Sequence, residues 1–288
     1  MTPSRTAPRA SDPFRYCETV TRTRARNFWY GIRLLPVAKR QALAAIYAMA
    51  RRIDDVGDGD LPAESQRTAL DEIEASIPRI DPASGDPVLA ALGQAAAAFP
   101  IPLSAFVELI DGVRMDVAGA NYRTFDDLLP YCRRVAGAVG RLSLGVFGSE
   151  RMDEATSMAD DLGVAMQLTN IIRDVREDLA RARVYIPAED LERFGCRREN
   201  LANPFSDTAQ SLVRFEASRA RQWFGRGIRL LPLLDRRSGA CAGAMAGIYS
   251  RLLRRMEARP RDVLTGRVSL SSGQKAWVAA RALIRAAA

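Results

Sequence analysis

Four polar side chains between Gln167 and Asp178 fall on one line of a helix. The stretch reads Q-L-T-N-I-I-R-D-V-R-E-D. From Asp160 to Arg176 there is no proline and one glycine, and Leu162, Met166, Ile171 and Val175 recur at helical spacing. Each helical residue turns about 100°, so positions i, i+3, i+7 and i+11 form one stripe. Gln167, Asn170, Asp174 and Asp178 occupy it. A second stretch, Y-A-M-A-R-R-I-D-D-V-G-D, puts Tyr47, Arg51, Asp54 and Asp58 on a matching stripe. Asp55 lies about 80° from Tyr47, at its edge. Two helices of this kind can face one another across a cavity. Their four carboxylates would repel and would be costly to desolvate, so the missing partner is cationic. Aspartates with no His or Cys nearby favour a hard cation. Mg²⁺ takes one or two carboxylates and completes its shell with water and phosphate oxygens. The pattern therefore points to a diphosphate held by Mg²⁺ between two acidic helices. The bland alternative is a pair of solvated helix faces.

Helices must carry these stripes, and the rest of the chain reads as helix too. Asp12 to Arg33 forms one or two helices. Pro36 opens the helix of the first stripe, which ends near Gly57 and Gly59. Pro62 starts another, through Ile77, and Pro78 to Pro87 is a loop. Helices follow over Val88–Phe99, Leu103–Val117 and Phe125–Phe147. The last of these has Gly137, Gly140 and Gly145 inside it. Glycine costs about 1 kcal/mol in a helix interior, so three of them mark the close approach of a neighbouring helix or of a bulky apolar ligand. The spacing predicts further helices over Glu150–Arg181, Phe205–Leu234, Ser238–Glu257 and Ser269–Ala287, with a short turn within Tyr185–Phe194. No strand alternation persists, so the class is all-α. The terminal helix W-V-A-A-R-A-L-I-R-A-A-A is amphipathic; it packs on the bundle or touches a membrane surface.

Composition removes several chemistries. There is no His among the 288 residues, which excludes Ser-His-Asp triads and H-E-x-x-H zinc sites. Cys17, Cys132, Cys196 and Cys241 form no C-x-x-C and fit reduced thiols. Neither a P-loop nor a G-x-G-x-x-G fingerprint is present. Apolar residues make up 48%, ample for a core. The net charge of +8 is read as spread along the chain. It is a solvated arginine-rich surface or an attraction toward diphosphates and anionic membranes. Met1 to Ser11 lacks an apolar signal segment and reads as a disordered tail. No stretch is long and apolar enough to span a bilayer, so a soluble or peripheral protein is expected.

The motifs resemble the squalene/phytoene synthase family over about residues 14 to 287. Its two aspartate motifs match Asp54–Asp58 and Asp174–Asp178. R-V-Y-I-P at Arg183–Pro187, F-W-Y-G-I-R-L-L-P at Phe28–Pro36 and Y-C-R-R-V-A-G-A-V-G at Tyr131–Gly140 match as well. The resemblance implies a single isoprenoid-synthase domain over residues 12–288, a class I helical bundle around a central cavity. It implies Mg²⁺, two or three ions with diphosphate, on Asp54, Asp58, Asn170, Asp174 and Asp178. Gln167 and Asn170 would orient diphosphate or metal-bound water. Arg51, Arg173 and Arg267 would contact phosphate, Tyr47 and Tyr249 would line the site, Tyr131 would contact substrate, and Val135 and Ala136 would border the tails. The proton acceptor is left between released diphosphate and a tyrosine.

The implied reaction is head-to-head joining of two prenyl diphosphates. The runs D-G-V-R-M-D-V and R-V-Y-I-P-A-E-D-L-E-R-F-G-C look most like bacterial presqualene diphosphate synthases, which join two farnesyl diphosphates without NADPH. Phytoene synthesis from geranylgeranyl diphosphate, or NADPH-dependent squalene synthesis, is the alternative. No nucleic-acid partner is expected, because two inward acidic stripes suit none. A terpene cyclase would carry N-D-x-x-S-x-x-x-E, which Asn170–Asp178 does not match. The expected place is the cytoplasm, with peripheral contact at the inner membrane face as a further reading and the oligomeric state left open.

Overall fold

Prolines and short polar side chains fix where the helices begin. The structure, a computed structural model, describes residues 12–25 and 27–286. The reading of residues 1–11 as a tail lies outside them. Asp12 accepts the Phe14 N–H at 3.0 Å and starts α1 (Pro13–Arg24), which is followed by the single turn α2 (Trp29–Ile32). Pro36 caps α3 (Val37–Gly57) and Pro62 caps α4 (Ala63–Ser76). Asp86 accepts from Val88 and Leu89 at the start of α5 (Pro87–Ala98), and α6 spans Ser104–Val117. A reciprocal Thr124–Asp127 capping box opens α7 (Phe125–Cys132), which runs through a π turn at Arg133–Gly137 into α8 (Ala138–Phe147). Then come α9 (Met152–Ala180), α10 (Ala188–Arg193), α11 (Asp207–Gly227), α12 (Arg236–Ala258), α13 (Pro260–Thr265) and α14 (Ser272–Arg285). Among the described residues every regular element is helical, as the sequence predicts.

The buried side chains form two apolar clusters. One gathers α9, α11, α12 and α13 around Leu168, Ile172, Leu212, Trp223 and Ile248. The other gathers α1, α3, α5, α6 and α8 around Ile46, Met49, Leu92, Phe106 and Leu142. Phe28, Val135 and Leu234 pack against both. The two acidic stripes thus belong to different halves: α3 is rooted in the second cluster and α9 in the first. Each helix buries its apolar side in its own half, which leaves both polar stripes for the seam between them.

Three expectations change. The helix read as continuous from Phe125 to Phe147 contains the π turn, which periodicity does not reveal because one extra residue leaves the apolar pattern nearly intact. Gly137 and Gly140 serve helix packing, and Gly145 lies against the Pro100–Pro102 segment. A Cβ on Gly137 would lie 2.9 Å from Asp160 Cγ, and one on Gly140 would lie 3.0 Å from the Ala159 carbonyl carbon, both on α9. Of the two readings open for Gly137 and Gly140, the neighbouring helix holds and the bulky apolar ligand does not. Finally, the helix expected to reach Leu234 ends at Gly227 and tightens into a 3₁₀ segment, Ile228–Leu233, in which Pro232 lacks an N–H to donate.

Candidate active site

The α3 stripe ends at the seam. Asp54 is half-buried, and Asp58 is the exposed C-cap residue, its N–H bonded to the Asp54 carbonyl at 2.9 Å. Opposite it the chain leaves α9 in a tight turn. Ala182 sits there at φ 60°, a left-handed conformation that costs a non-glycine residue about 1 kcal/mol or more. The turn aims two cations at one carboxylate: Arg181 Nη1 and Arg183 Nη1 lie 3.1 and 3.3 Å from Asp58 Oδ1. Arg51 pairs with the off-stripe Asp55, and its Nε is buried with no partner.

On α9, Arg173 grips Asp174 with two donors, Nε to Oδ1 at 2.8 Å and a closer Nη2 contact. Arg267, just past α13, reaches Asp174 at 3.3 Å and Glu177 at 3.2 Å. Asn170 donates to Gln167 at 3.2 Å, while its own Oδ1 is buried and unpartnered. Tyr249 of α12 stacks on Phe28 at 5.6 Å and lies against Arg173. Burial pushes the Tyr47 phenol up to about 12, with Tyr249 also close enough to act on it. Val135 and Ala136 lie in the π turn, where the Ala136 carbonyl meets Gly163 of α9.

Sequence reasoning missed the centre of the cluster. Asp116 of α6 accepts from Tyr185 at 2.7 Å and from Tyr131 at 3.0 Å, and those two rings stack at 5.2 Å. Tyr122 packs on both, its hydroxyl buried without a partner. Burial raises the Asp116 carboxyl against the pull of its two tyrosines. Asp116 has no acidic residue at i+4, so nothing in its spacing marked it. Arg183 and Tyr185 follow a helix end and carry no periodic signal.

The family model for squalene/phytoene synthase matches residues 21–274. The chain belongs to the squalene/phytoene synthase family. Proteins named phytoene synthase from Mycobacterium bovis and Mycobacterium tuberculosis are each 51% identical over 276 residues, covering 94% of this chain and 90% of theirs. A 15-cis-phytoene synthase of Synechococcus elongatus is 35% identical over 99% of the chain and 96% of its own. Among solved structures, a dehydrosqualene synthase in complex with ligand superposes with a TM-score of 0.85 at 28% identity, covering 95% of this chain and 96% of that one. Squalene synthase HpnC from Alicyclobacillus acidocaldarius gives 0.76 at 30%, covering 89% and 95%. The seam between two helical halves is therefore a squalene/phytoene synthase architecture.

The seam is short of positive charge. Burial, then the repulsion of neighbouring carboxylates, pushes Asp54 and Asp178 up to about 7; Arg51 opposes this at Asp54 and Arg183 at Asp178. Among the described residues no three acidic side chains converge into a finished metal cage. A cage is not what Mg²⁺ with a diphosphate needs, since phosphate oxygens supply most of its shell. The orphaned Asn170 Oδ1 and the two disfavoured carboxylates fit that ion. The space beside Asp178, Arg183 and Tyr185 is only ≈10 Å³, because these side chains fold against one another. A larger open hollow, ≈720 Å³, lies at Asp71, Glu74, Ile77 and Leu103 and contains no residue of either stripe.

Asp55 and Glu177 sit on the outer sides of their helices, half or more exposed, each paired to one arginine. An exposed pair is worth about 0–1 kcal/mol. Asp55→Asn and Glu177→Gln should therefore lower turnover by less than about tenfold. A loss as large as that of the stripe aspartates would show that the helical registers assigned to the site are wrong.

Proposed function

We propose that this chain is a phytoene synthase, joining two geranylgeranyl diphosphates head to head. The observation that carries the reading is the 51% identity, over 94% of the chain, with mycobacterial proteins named phytoene synthase. It outweighs the local motif runs that favoured presqualene diphosphate. Joining two farnesyl diphosphates remains the second reading, favoured by the 0.76 TM-score and 30% identity of the squalene synthase HpnC. Both begin with the same chemistry, and the tail length separates them.

In this reading Asp54 and Asp58 hold one end of a metal–diphosphate assembly, and Asp174, Asp178 and Asn170 hold the other. Bound Mg²⁺ would neutralise the diphosphate and make it a leaving group. Arg173, Arg181, Arg183 and Arg267, which rest on the carboxylates in the structure, would turn to phosphate oxygens as the metal takes the carboxylates. Departure of diphosphate from one substrate leaves an allylic cation. The C2–C3 double bond of the second attacks it, and loss of a proton closes a cyclopropane. The apolar halves on either side of Val135 keep water from the cation. Tyr131 and Tyr185, bonded to Asp116, would present hydroxyls to the departing anion. Phytoene is reached when the second diphosphate leaves and a second proton is lost, so no reductant and no NADPH enters the balance. No described helix is long and apolar enough to cross a membrane. We place the enzyme in the cytoplasm, in peripheral contact with the membrane that takes its product.

Offering equal concentrations of geranylgeranyl and farnesyl diphosphate with Mg²⁺ and without NADPH tests the assignment. The forty-carbon hydrocarbon should dominate. Presqualene diphosphate as the main product would reverse the ranking.

The raised carboxyls give a pH signature. Asp54 and Asp178 stay protonated to about pH 7 in the fold but ionise near 3.8 when unfolded. The folded state then binds more protons between these values, so their contribution to stability falls as pH rises through that window. Mg²⁺ with pyrophosphate needs the ionised forms and offsets their repulsion. The rise in melting temperature caused by Mg²⁺ and pyrophosphate should be larger at about pH 8 than at about pH 5.5. Equal rises at both values would remove these two aspartates from the metal site.

A further inference from the structure

The positive charge of this protein is gathered at the two ends of the chain, with nine arginines and lysines against two acidic residues in residues 1–40 and an acidic excess in residues 41–235. Residues 236–288 hold eleven arginines and lysines against two acidic residues, Glu257 and Asp262. That segment alone exceeds the +8 of the whole chain, so the first 235 residues are close to neutral. The even spread read from the sequence does not hold. Arg267 is used at the active site, and Glu257 is paired to Arg221. Much of the remainder lies on α12 and α14.

These two helices pack antiparallel, and among the described residues one edge of α14 is exposed. Its inner edge meets α12: a Cβ on Gly247 would lie 2.8 Å from Val278, and one on Gly243 would lie 3.8 Å from Ala282. Trp277, Ala280, Arg281, Ile284 and Arg285 form the exposed outer edge, at i, i+3, i+4, i+7 and i+8. Trp277 is 51% exposed and Ile284 70%. The indole stands between two guanidiniums, with Arg251 at 5.3 Å and Arg281 at 5.2 Å from the ring centroid. Exposed Arg254 and Arg255 continue the basic surface along α12.

We propose that this edge docks the enzyme on an anionic bilayer, with Trp277 and Ile284 entering the headgroup boundary and Arg251, Arg281 and Arg285 on lipid phosphates. Tryptophan settles at membrane interfaces because its ring is apolar and its N–H is polar. Arginine near a negatively charged bilayer surface is drawn to lipid phosphates, and salt screens that attraction. A helix apolar on its outward edge and flanked by arginines is built to lie in that plane. A protein partner would need a shaped, largely desolvated patch, whereas two guanidiniums on one indole, with exposed Arg254, Arg255 and Arg285 on the same two helices, suit a fluid layer of phosphates. Resting on the proposed function, the docking also has a use: α14 packs on α12, which carries Tyr249, and on α2. The docked face is then one helix removed from the site, where an insoluble hydrocarbon has to leave.

Vesicle sedimentation of the full chain, without substrate, tests this. Phosphatidylglycerol vesicles should bind the protein and phosphatidylcholine vesicles should not, and high salt should release it. Trp277→Ser with Ile284→Ser, and separately Arg281→Glu with Arg285→Glu, should each cut binding by at least about tenfold. Both should keep wild-type circular dichroism and wild-type diphosphate release from detergent-dispersed substrate. Failure of the wild type to bind phosphatidylglycerol would overturn the proposal, as would unchanged binding of both variants. So would a dimer in gel filtration that Trp277→Ser disperses, since the edge would then be a contact between copies. Lipid binding uses no turnover, so loss of the proposed reaction with binding intact would count against the function alone.

Discussion

Asp54→Asn and Asp174→Asn should each lower turnover by about 10²–10³-fold, the scale on which losing a preorganised electrostatic group slows an enzyme. The substitution keeps the shape and removes one negative oxygen from the place where the metal–diphosphate assembly would sit. The two variants separate in stability. Asp54 is held above the ordinary carboxyl range by burial and by Asp58, so a neutral amide relieves a cost and the melting temperature should hold or rise. Asp174 is paired to Arg173 and Arg267, so its amide loses ion pairs and should melt a little earlier. Diphosphate release at saturating Mg²⁺, measured beside the melting curve, checks both. Wild-type turnover in the pair would remove the acidic stripes from the chemistry.

Gly163→Ala should destabilise the chain strongly. The added Cβ would stand 2.6 Å from the Ala136 carbonyl carbon and 2.8 Å from the Gly137 nitrogen. Both are backbone atoms of the π turn, so no rotamer change makes room and the helices must part. Overpacking of this kind costs about 1–3 kcal/mol, which lowers the melting temperature by about 2–12 °C at a few degrees per kcal/mol. Turnover should fall as well, because α9 carries Asp174 and Asp178. Gly225→Ala is the control: nothing lies within 4 Å of its Cβ on α11, so it should gain about 1 kcal/mol of helix propensity. A Gly163→Ala protein that melts with the wild type would show that α9 and the π turn are not in rigid contact.

What the sequence reveals follows from what is periodic. Both aspartate stripes, the all-α class and most helix starts are legible because spacing and capping residues encode them directly. The placement of Tyr47, Arg51, Asn170 and Asp174 at one seam follows from those stripes and from the family motifs. Asp116, Arg183 and Tyr185 fall inside the quoted runs D-G-V-R-M-D-V and R-V-Y-I-P, but no helical spacing singles them out, and what brings them together is tertiary packing. Gly137, Gly140 and Gly145 show that something approaches closely, but only the packed structure shows that it is α9 at the first two and the Pro100–Pro102 segment at the third. Arg51 illustrates the limit in the other direction: it lies on the stripe, yet its ion pair is with Asp55 beside the stripe. Tail length has no periodic signature at all, and motif likeness alone ranked the products in the order that whole-chain identity reverses.

The central claim is that the two acidic helices join two prenyl diphosphates under Mg²⁺. Its most direct test is the ratio of diphosphate released to forty-carbon hydrocarbon formed from geranylgeranyl diphosphate, with and without a chelator. Two diphosphates per phytoene, no requirement for NADPH and complete loss of both products on removal of Mg²⁺ are expected. Diphosphate release that yields a twenty-carbon alcohol, or that continues without Mg²⁺, would contradict it.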